Sequence, residues 1–436
     1  MPPPTDFYAT TLRAVGHPNM KVLIVGAGVV GVTTAYYLEA DGHEITVVER
    51  QEGAGLETSF ANAGQLCRYT ARPWAAPSVP SMIIREFGRA DAPFLVHLRA
   101  DPAMWRWLTR FLLQCRTSKH RNTRSHLMRL AIHSANSMDE LVKTENVNFD
   151  HGRNGVLHLF RNQKSLDHAA NEERHVEDPK ARGQVVNHDG CIAIEPALAQ
   201  NPSQFIGGIF HRHEQTGDAH RFTKELSMLL KTRGVVFRYG VDAQRILSEG
   251  DRVFGLSTDQ GVIESDAVVI SAANSSAQLL NSAYPKLPIY PVKGYSITVQ
   301  TSGFNGAPKI GIQDHSRKIG FSRLGEHLRA AGTAEFGARD SAPDHARIQA
   351  LSNQTRTLFP GAGEFETAKS WAGLRPMTPD GAPILGRTKW KNLFVNTGHG
   401  SLGWSLACGS SRVIADIVSE RIPAIDLSGL TIDRFP

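Results

Sequence analysis

The chain has 436 residues, 41% of them hydrophobic and 21% charged, and 48 Lys and Arg against 42 Asp and Glu give a formal net charge of +6. Such a length exceeds one compact core and predicts two domains, while the composition excludes a disordered or collagen-like chain. No apolar run approaches the ~20 residues needed to cross a bilayer, and Cys67, Cys115, Cys191 and Cys408 stand too far apart for a zinc or disulfide framework, so no metal and a reducing cytoplasm are expected.

Residues 1–19 are Pro-rich and polar without a hydrophobic stretch, which is no secretory signal. Met20 directly precedes Lys21, and the reading here is a disordered leader or an upstream start codon. Organisation begins with the apolar run Lys21 to Val25, then Gly26-Ala27-Gly28-Val29-Val30-Gly31, a helical stretch from Val32 to Glu39 stopped by Asp41-Gly42, and a second apolar run from Ile45 to Val48 ending in Glu49. Strand, tight turn, helix, strand and acid follow in the order a dinucleotide site requires. Gly26 allows the turn, Gly28 lets backbone approach a pyrophosphate, and Gly31 lets helix pack on strand. The helix N-terminus turns its free N–H groups to the phosphates, and Glu49 stands where a ribose-binding acid belongs.

A Gly-, Ala-, Ser- and Pro-rich loop runs from Gly53 to Pro80, and a long helical region is predicted from Ser81 to Lys143. Between Pro80 and Leu130 ten basic residues (Arg85, Arg89, Arg99, Arg106, Arg110, Arg116, Lys119, Arg121, Arg124 and Arg129) face only Glu86, Asp91 and Asp101. This local excess is larger than that of the whole chain. Apolar residues including Phe87, Trp105, Trp107 and Phe111 interleave with them. The pattern fits an amphipathic helical layer with Arg outward, and it fits the surface of an anionic membrane. No helix-turn-helix, zinc or RNA-recognition signature accompanies it, so nucleic acid is not expected.

Farther on, Val156 to Phe160 and Gly207 to His211 read as strands, Phe222 to Arg233 as an amphipathic helix closed by Gly234, and Val235 to Tyr239, Val253 to Thr258 and Asp266 to Ser271 as strands. Lys293 to Gln300 and Arg317 to Ser322 continue the β pattern. The chain closes with a strand from Leu393 to Asn396, a turn from Thr397 to Gly400 and a helix to about Glu420. A nucleotide fold at the front with a return at the end predicts discontinuous domains.

Several long runs resemble one family: Glu57-Thr-Ser-Phe-Ala-Asn-Ala-Gly64-Gln65, Pro73-Trp-Ala-Ala-Pro77, Thr216-Gly-Asp218, Tyr290-Pro-Val-Lys-Gly-Tyr295, Gly373-Leu-Arg-Pro-Met-Thr-Pro-Asp-Gly381 and Asn396-Thr-Gly-His-Gly-Ser-Leu-Gly-Trp404. From about Met20 to Arg421 the chain is similar to the small-subunit type of FAD-dependent D-amino-acid dehydrogenases, within the wider D-amino-acid oxidase and glycine oxidase group. The resemblance implies an α/β fold: a Rossmann-like FAD-binding domain from residues 20–80, 190–280 and 371–436, and an α+β substrate domain with a mixed or antiparallel sheet from 81–189 and 281–370.

It also implies roles. Glu49 would bind the adenosine ribose with Arg50 beside it, and Val241 would offer a backbone contact to adenine. Thr58 and Ser59 would approach the pyrophosphate, or serve as local turn and cap residues. Gly64, Gln65 and Leu66 would line the flavin ring edge. The turn Gly398, Gly400, Ser401, Leu402 and Gly403 would open a helix whose N–H groups stabilise negative charge on the N1–C2=O edge of reduced flavin. Relatives with covalent flavin carry a cysteine where this chain has Met377-Thr378, so non-covalent FAD is expected.

Arg375, the arginine of the Gly-Leu-Arg-Pro motif, would grip the substrate carboxylate with two parallel hydrogen bonds. Tyr295 and His399 are further active-site candidates; the glycines beside His399 favour packing against the flavin over a role as base. Arg317 stands where relatives have a tyrosine that closes over substrate. It would meet a polar side chain if inward and solvent if outward. Ala273 replaces a turn glycine and implies a shifted backbone there. The implied reaction takes a D-amino acid to a 2-oxo acid and ammonia, with hydride passing from Cα to flavin N5 and electrons on to a quinone at the inner face of the cytoplasmic membrane. Alternatives are an oxidase using O2, a dehydrogenase of cyclic imino or N-methyl amino acids, and a redox-silent nucleotide-binding protein.

Overall fold

The computed structural model describes residues 19–86, 93–97, 99–284, 287–338 and 340–435. The expected leader, apart from its last residue, and Phe87, Arg89 and Asp91 of the basic stretch lie outside them.

Strands Lys21–Val25 and Glu44–Glu49 bury Val22 to Val25 and Ile45, Val47 and Val48, as strands covered on both faces do. They form the centre of a six-stranded sheet in the spatial order Ile384–Arg387, Leu393–Thr397, Ala267–Ile270, Lys21–Val25, Glu44–Glu49, Val236–Tyr239. All its neighbours are parallel except the first pair. On one face the helices Val29–Ala40, Thr117–Glu145, Ala219–Thr232 and Gly403–Val418 pack around Phe149, Phe222 and Trp404. Those three rings meet with centroids 5.0–5.8 Å apart, and such pairs add about 0.5–1.5 kcal/mol each beyond their area. The other face is covered by the antiparallel strands Ala243–Glu249, Arg252–Thr258 and Gly261–Glu264.

A nine-stranded mixed sheet forms the second layer system. Its order is Glu364–Met377, Tyr290–Gln300, His327–Phe336, Ile319–Leu324, Gly311–Asp314, Val156–Phe160, Gly207–His211, Gln184–Asn187, with Phe94–Val96 paired beside Phe336. The helix His345–Leu358 closes one face over Tyr295, Ile297 and Val299. The other face looks toward the six-stranded sheet.

Two expectations are corrected. The helical region from Ser81 to Lys143 is broken: Val79–Glu86, Pro102–Gln114 and Thr117–Glu145 are separate helices, and Phe94–Val96 is a strand. Asp101 stops continuity, because its carboxylate caps the second helix at the N–H groups of Ala103 and Met104. Gly207–His211, expected in the cofactor domain, pairs with Val156–Phe160 in the second sheet, and so does the strand that carries residues 371–377. Ala273 holds φ +48°, the left-handed conformation that favours glycine.

Candidate functional site

The front turn is built as its glycines require. Gly26 has φ +106°, and a Cβ there would lie 2.6 Å from the carbonyl oxygen of Ser271; at Gly31 it would lie 1.8 Å from that of Gly26. Only glycine lets strand, turn and helix approach so closely. Glu49 turns back to this turn and accepts from the N–H of Ala27 (2.7 Å) and of Gln51 (2.9 Å). Burial raises its proton affinity. Ser59 Oγ accepts from the N–H of Val29 at 3.0 Å, as a helix cap does, and Thr58 Oγ1 donates to the carbonyl of Leu374. Arg50 is tied to Glu57 (2.6 Å) and Ser275 (3.3 Å).

One cavity runs through these residues. Gly26, Gly28, Glu49, Arg50, Thr58, Ser59 and Val241 all line it. At its edge Ser271 Oγ is buried without a hydrogen-bond partner among the described residues, as is Asn274 Oδ1. Open helix N–H groups, a buried acid and orphaned polar atoms around one elongated cavity fit a dinucleotide.

The end segment lies outside that cavity's lining and bridges, at His399, to Met377, two residues beyond Arg375. Gly398 and Gly400 hold φ +72° and +56°, and a Cβ on Gly400 would meet the Met377 sulfur at 2.7 Å. Ser401 and Leu402 complete a short turn, and the helix Gly403–Val418 starts with no side-chain cap. It continues directly from that turn. Gly64, Gln65 and Leu66 are not among the residues that line the cavity. Gln65 and Leu66 pair with Thr216 and Gln215, and Gly64 accepts from the N–H of Gly217 at 2.7 Å. A Cβ on Gly217 would strike Phe149 at 2.6 Å, and Asp218 caps the next helix, which accounts for the Thr-Gly-Asp motif.

Arg375 lies on the inward face of the nine-stranded sheet. Its guanidinium rests over Gly294, where a Cβ would come within 2.1 Å of it. Nη1 donates to the carbonyl of Thr333 at 2.9 Å, and the Trp74 ring covers it at 5.5 Å. Thr333 sits in a bulge at φ +64°, which aims that carbonyl at the arginine. No carboxylate among the described residues pairs with Arg375, and burial pushes its pKa down to about 10. The Leu374 carbonyl beside it accepts from Thr58 and from Asn274 Nδ2, so the arginine strand is laced directly to the dinucleotide turn.

The other three candidates are not brought to Arg375. Tyr295 pairs with Ala372 and faces the opposite side of the sheet, where its hydroxyl donates to Glu335. His399 is 4% exposed and bonded to Ser410 Oγ at 3.0 Å; burial pushes its pKa down to about 3, so it is neutral and inward-turned. Arg317 joins Gln204 at 3.4 Å and the turn held by Asp314. Residues the sequence reading left without a role now have one: Trp74, Gly294, Thr333 and Asn274 shape the surroundings of Arg375. The proline-flanked Trp74 in the Pro73 to Pro77 run was the available signal.

Comparison with known proteins accords with this geometry. The family model described as DAO, FAD dependent oxidoreductase, matches residues 21–417. A protein of Paramagnetospirillum magneticum named D-amino acid dehydrogenase is 45% identical over 95% of this chain and 99% of its own length. One of Mesorhizobium japonicum named D-amino acid dehydrogenase 1 is 41% identical over 95% and 100%. Among solved structures, glycine oxidase from Bacillus cereus superposes with a TM-score of 0.71 at 20% identity, covering 93% of this chain and 96% of that one. L-proline dehydrogenase from P. horikoshii gives 0.73 at 16%, covering 96% and 98%. A family match along nearly the whole chain, on a cavity already shaped for a dinucleotide, makes this protein a member of the DAO family of FAD-dependent oxidoreductases.

Proposed function

We propose that the protein is a D-amino-acid dehydrogenase. The observation that carries this reading is Arg375: a half-buried guanidinium with one backbone carbonyl and no acidic partner among the described residues, on the strand laced to the dinucleotide turn. Leaving such a group uncompensated is costly unless a ligand's carboxylate completes it. The relatives named D-amino acid dehydrogenase support the substrate class.

FAD, when bound, supplies the hydride acceptor. Glu49 would hold its ribose, Ser59 and the N–H groups behind Gly28 would hold the pyrophosphate, and Val241 would border the adenine. The start of Gly403–Val418 would stabilise the charge that the ring system gains on reduction. Arg375 clamps the α-carboxylate with both arms of its fork, Trp74 excludes water above it, and the neutral amine leaves Cα–H free to point at the flavin. His399, neutral and bonded to Ser410, moves no proton. With Met377-Thr378 after the arginine, FAD is held without a covalent link.

A membrane-held quinone as electron acceptor is the finer part of the proposal. Its support is a surface where Ile84 (79% exposed), Trp105, Leu112 and Leu113 lie among the exposed Arg106, Arg116, Lys119 and Arg121. No described helix is long and apolar enough to cross a membrane. Arg116→Glu with Arg121→Glu should release the protein from anionic vesicles in co-sedimentation, and unchanged partitioning would sink the membrane contact. The reaction itself is tested by anaerobic mixing of the holoenzyme with D- and L-amino acids while following the flavin band. Bleaching by D-enantiomers alone is expected; bleaching by none, or by L-enantiomers, overturns the assignment.

A further inference from the structure

We propose that the short strand Phe94–Val96 belongs to the substrate site. Phe94 is a positioning residue that holds the Trp74 ring over the guanidinium of Arg375, and His97 fastens the strand through Glu335 to Tyr295. The inference rests on the reading of Arg375 given above and deepens it.

The register of the large sheet puts the parts in place. Val292 pairs with Arg375, and Lys293 pairs with Glu335, so Arg375 lies on one face and Glu335 on the other. Phe94 and Leu95 pair in parallel with Ala334 and Glu335, which puts Phe94 on the face of Arg375. There it packs in one apolar cluster with Val292, Ala334 and Trp74. Two contacts lead from this strand to the guanidinium. The Phe94 ring meets Trp74 edge-on, with centroids 5.9 Å apart and planes at 81°, and Trp74 lies over Arg375 at 5.5 Å. The carbonyl of Pro93 accepts from the N–H of Ala334 at 2.8 Å. Ala334 follows Thr333 in the bulge, and the Thr333 carbonyl accepts from Arg375 at 2.9 Å. One strand thus braces both the cover of the guanidinium and its backbone acceptor.

A strand this short makes few ladder bonds, so its side-chain anchors decide where it sits. The N–H of His97 donates to the Phe336 carbonyl at 3.0 Å, and its Nε2 meets Glu335 Oε1 at 2.7 Å. The other oxygen of Glu335 accepts from the Tyr295 hydroxyl. Glu335 is buried with both oxygens engaged, as an acid in that place requires. Gly337 makes the approach possible: a Cβ there would lie 3.1 Å from the His97 carbonyl oxygen and 3.2 Å from the Met104 sulfur. Tyr295 faces away from Arg375, and its part is to anchor His97 and Glu335 on the strand that also carries Gly294, the floor under the guanidinium. Cover, floor and acceptor are therefore tied to one another across both faces of the sheet.

The test is anaerobic reduction of the holoenzyme by the D-amino acid that bleaches wild type fastest, with the apparent Kd and the limiting rate read separately. Phe94→Leu keeps the bulk and removes the ring edge. It should raise the apparent Kd about threefold to tenfold, the worth of one aromatic pair, with the limiting rate within about twofold. Phe94→Tyr, which keeps the ring, should restore it. Because Phe94 acts through Trp74, the same change in a Trp74→Leu background should shift the apparent Kd by less than about twofold. His97→Ala should raise the apparent Kd as Phe94→Leu does, and His97→Gln, which keeps a side-chain N–H for Glu335, should bring it back. Should the double variant lose FAD, inhibition decides: propionate, which has the carboxylate without the amine, should inhibit Phe94→Leu more weakly by the same factor. An unchanged apparent Kd in Phe94→Leu or His97→Ala, an equal rise in both Trp74 backgrounds, or an unchanged inhibition constant for propionate overturns the proposal. Any of these in an enzyme that D-amino acids still reduce sinks this inference alone, whereas no reduction of wild type by any D-amino acid sinks the reading beneath it.

Discussion

Replacing Arg375 by Met separates binding from folding. In the structure the guanidinium has one hydrogen bond, to the Thr333 carbonyl, and no acidic partner among the described residues. Its loss should therefore cost the empty fold little; removing an uncompensated buried charge is neutral or stabilising by the order of 1 kcal/mol. The substrate complex loses far more. Two hydrogen bonds to a carboxylate, each contributing about 1.5–3 kcal/mol, correspond to a fall of roughly 10²–10⁴ in kcat/KM. Arg375→Lys keeps the charge but not the planar fork, and should fall between. The assay is anaerobic stopped-flow reduction with the D-amino acid that bleaches wild type fastest, paired with the 450 nm flavin content and the melting temperature of the same samples. A kcat/KM within threefold of wild type would refute the clamp. A large drop in melting temperature and flavin content would show instead that Arg375 holds the fold.

Gly294→Ala places a methyl within 2.3 Å of both terminal nitrogens of Arg375; kcat/KM should drop at least tenfold while the flavin-to-protein absorbance ratio stays at wild type, and a drop in that ratio would contradict the local reading. Gly26→Ala, strained at φ +106° and crowded by the Ser271 carbonyl, should purify with little or no flavin; a fully yellow variant would count against the turn as the pyrophosphate site. His399 has a folded pKa of about 3 from burial, below its unfolded value near 6.5. The unfolded state thus binds more protons, and stability is lost as pH falls below about 6.5, by about 2 kcal/mol at pH 5 for this group. Urea unfolding at pH 7.5 and 5.0 should show His399→Gln losing about 2 kcal/mol less than wild type, and equal losses would remove His399 from the acid response.

The parts of the site written in local pattern were legible in the sequence. The run from Lys21 to Glu49 carries its strands, turn and acid within one βαβ unit, and the structure keeps each in place. What sequence left open depended on facing. Tyr295 and Gly294 are neighbours in one strand, yet only Gly294 shares the face of Arg375, because successive strand residues alternate. The strand Glu364–Met377 was hidden because its outer half reads Glu-Phe-Glu-Thr-Ala-Lys-Ser, exposed and without clean alternation. Phe94–Val96 was hidden by the helical periodicity on both sides of it.

The order of strands in the cofactor sheet bears on how the enzyme is made. Lys21–Val25 pairs with Ala267–Ile270, which pairs in turn with Leu393–Thr397, and the helix Gly403–Val418 packs against both Val29–Ala40 and Thr117–Glu145. A ribosome therefore presents the first strand and its neighbour Glu44–Glu49 long before the second neighbour, Ala267–Ile270, exists, and the sheet is complete only when synthesis is nearly done. Contacts this distant in sequence form late and slowly. A nascent chain stalled before residue 393 would accordingly carry an open edge on the cofactor sheet, along Ala267–Ile270.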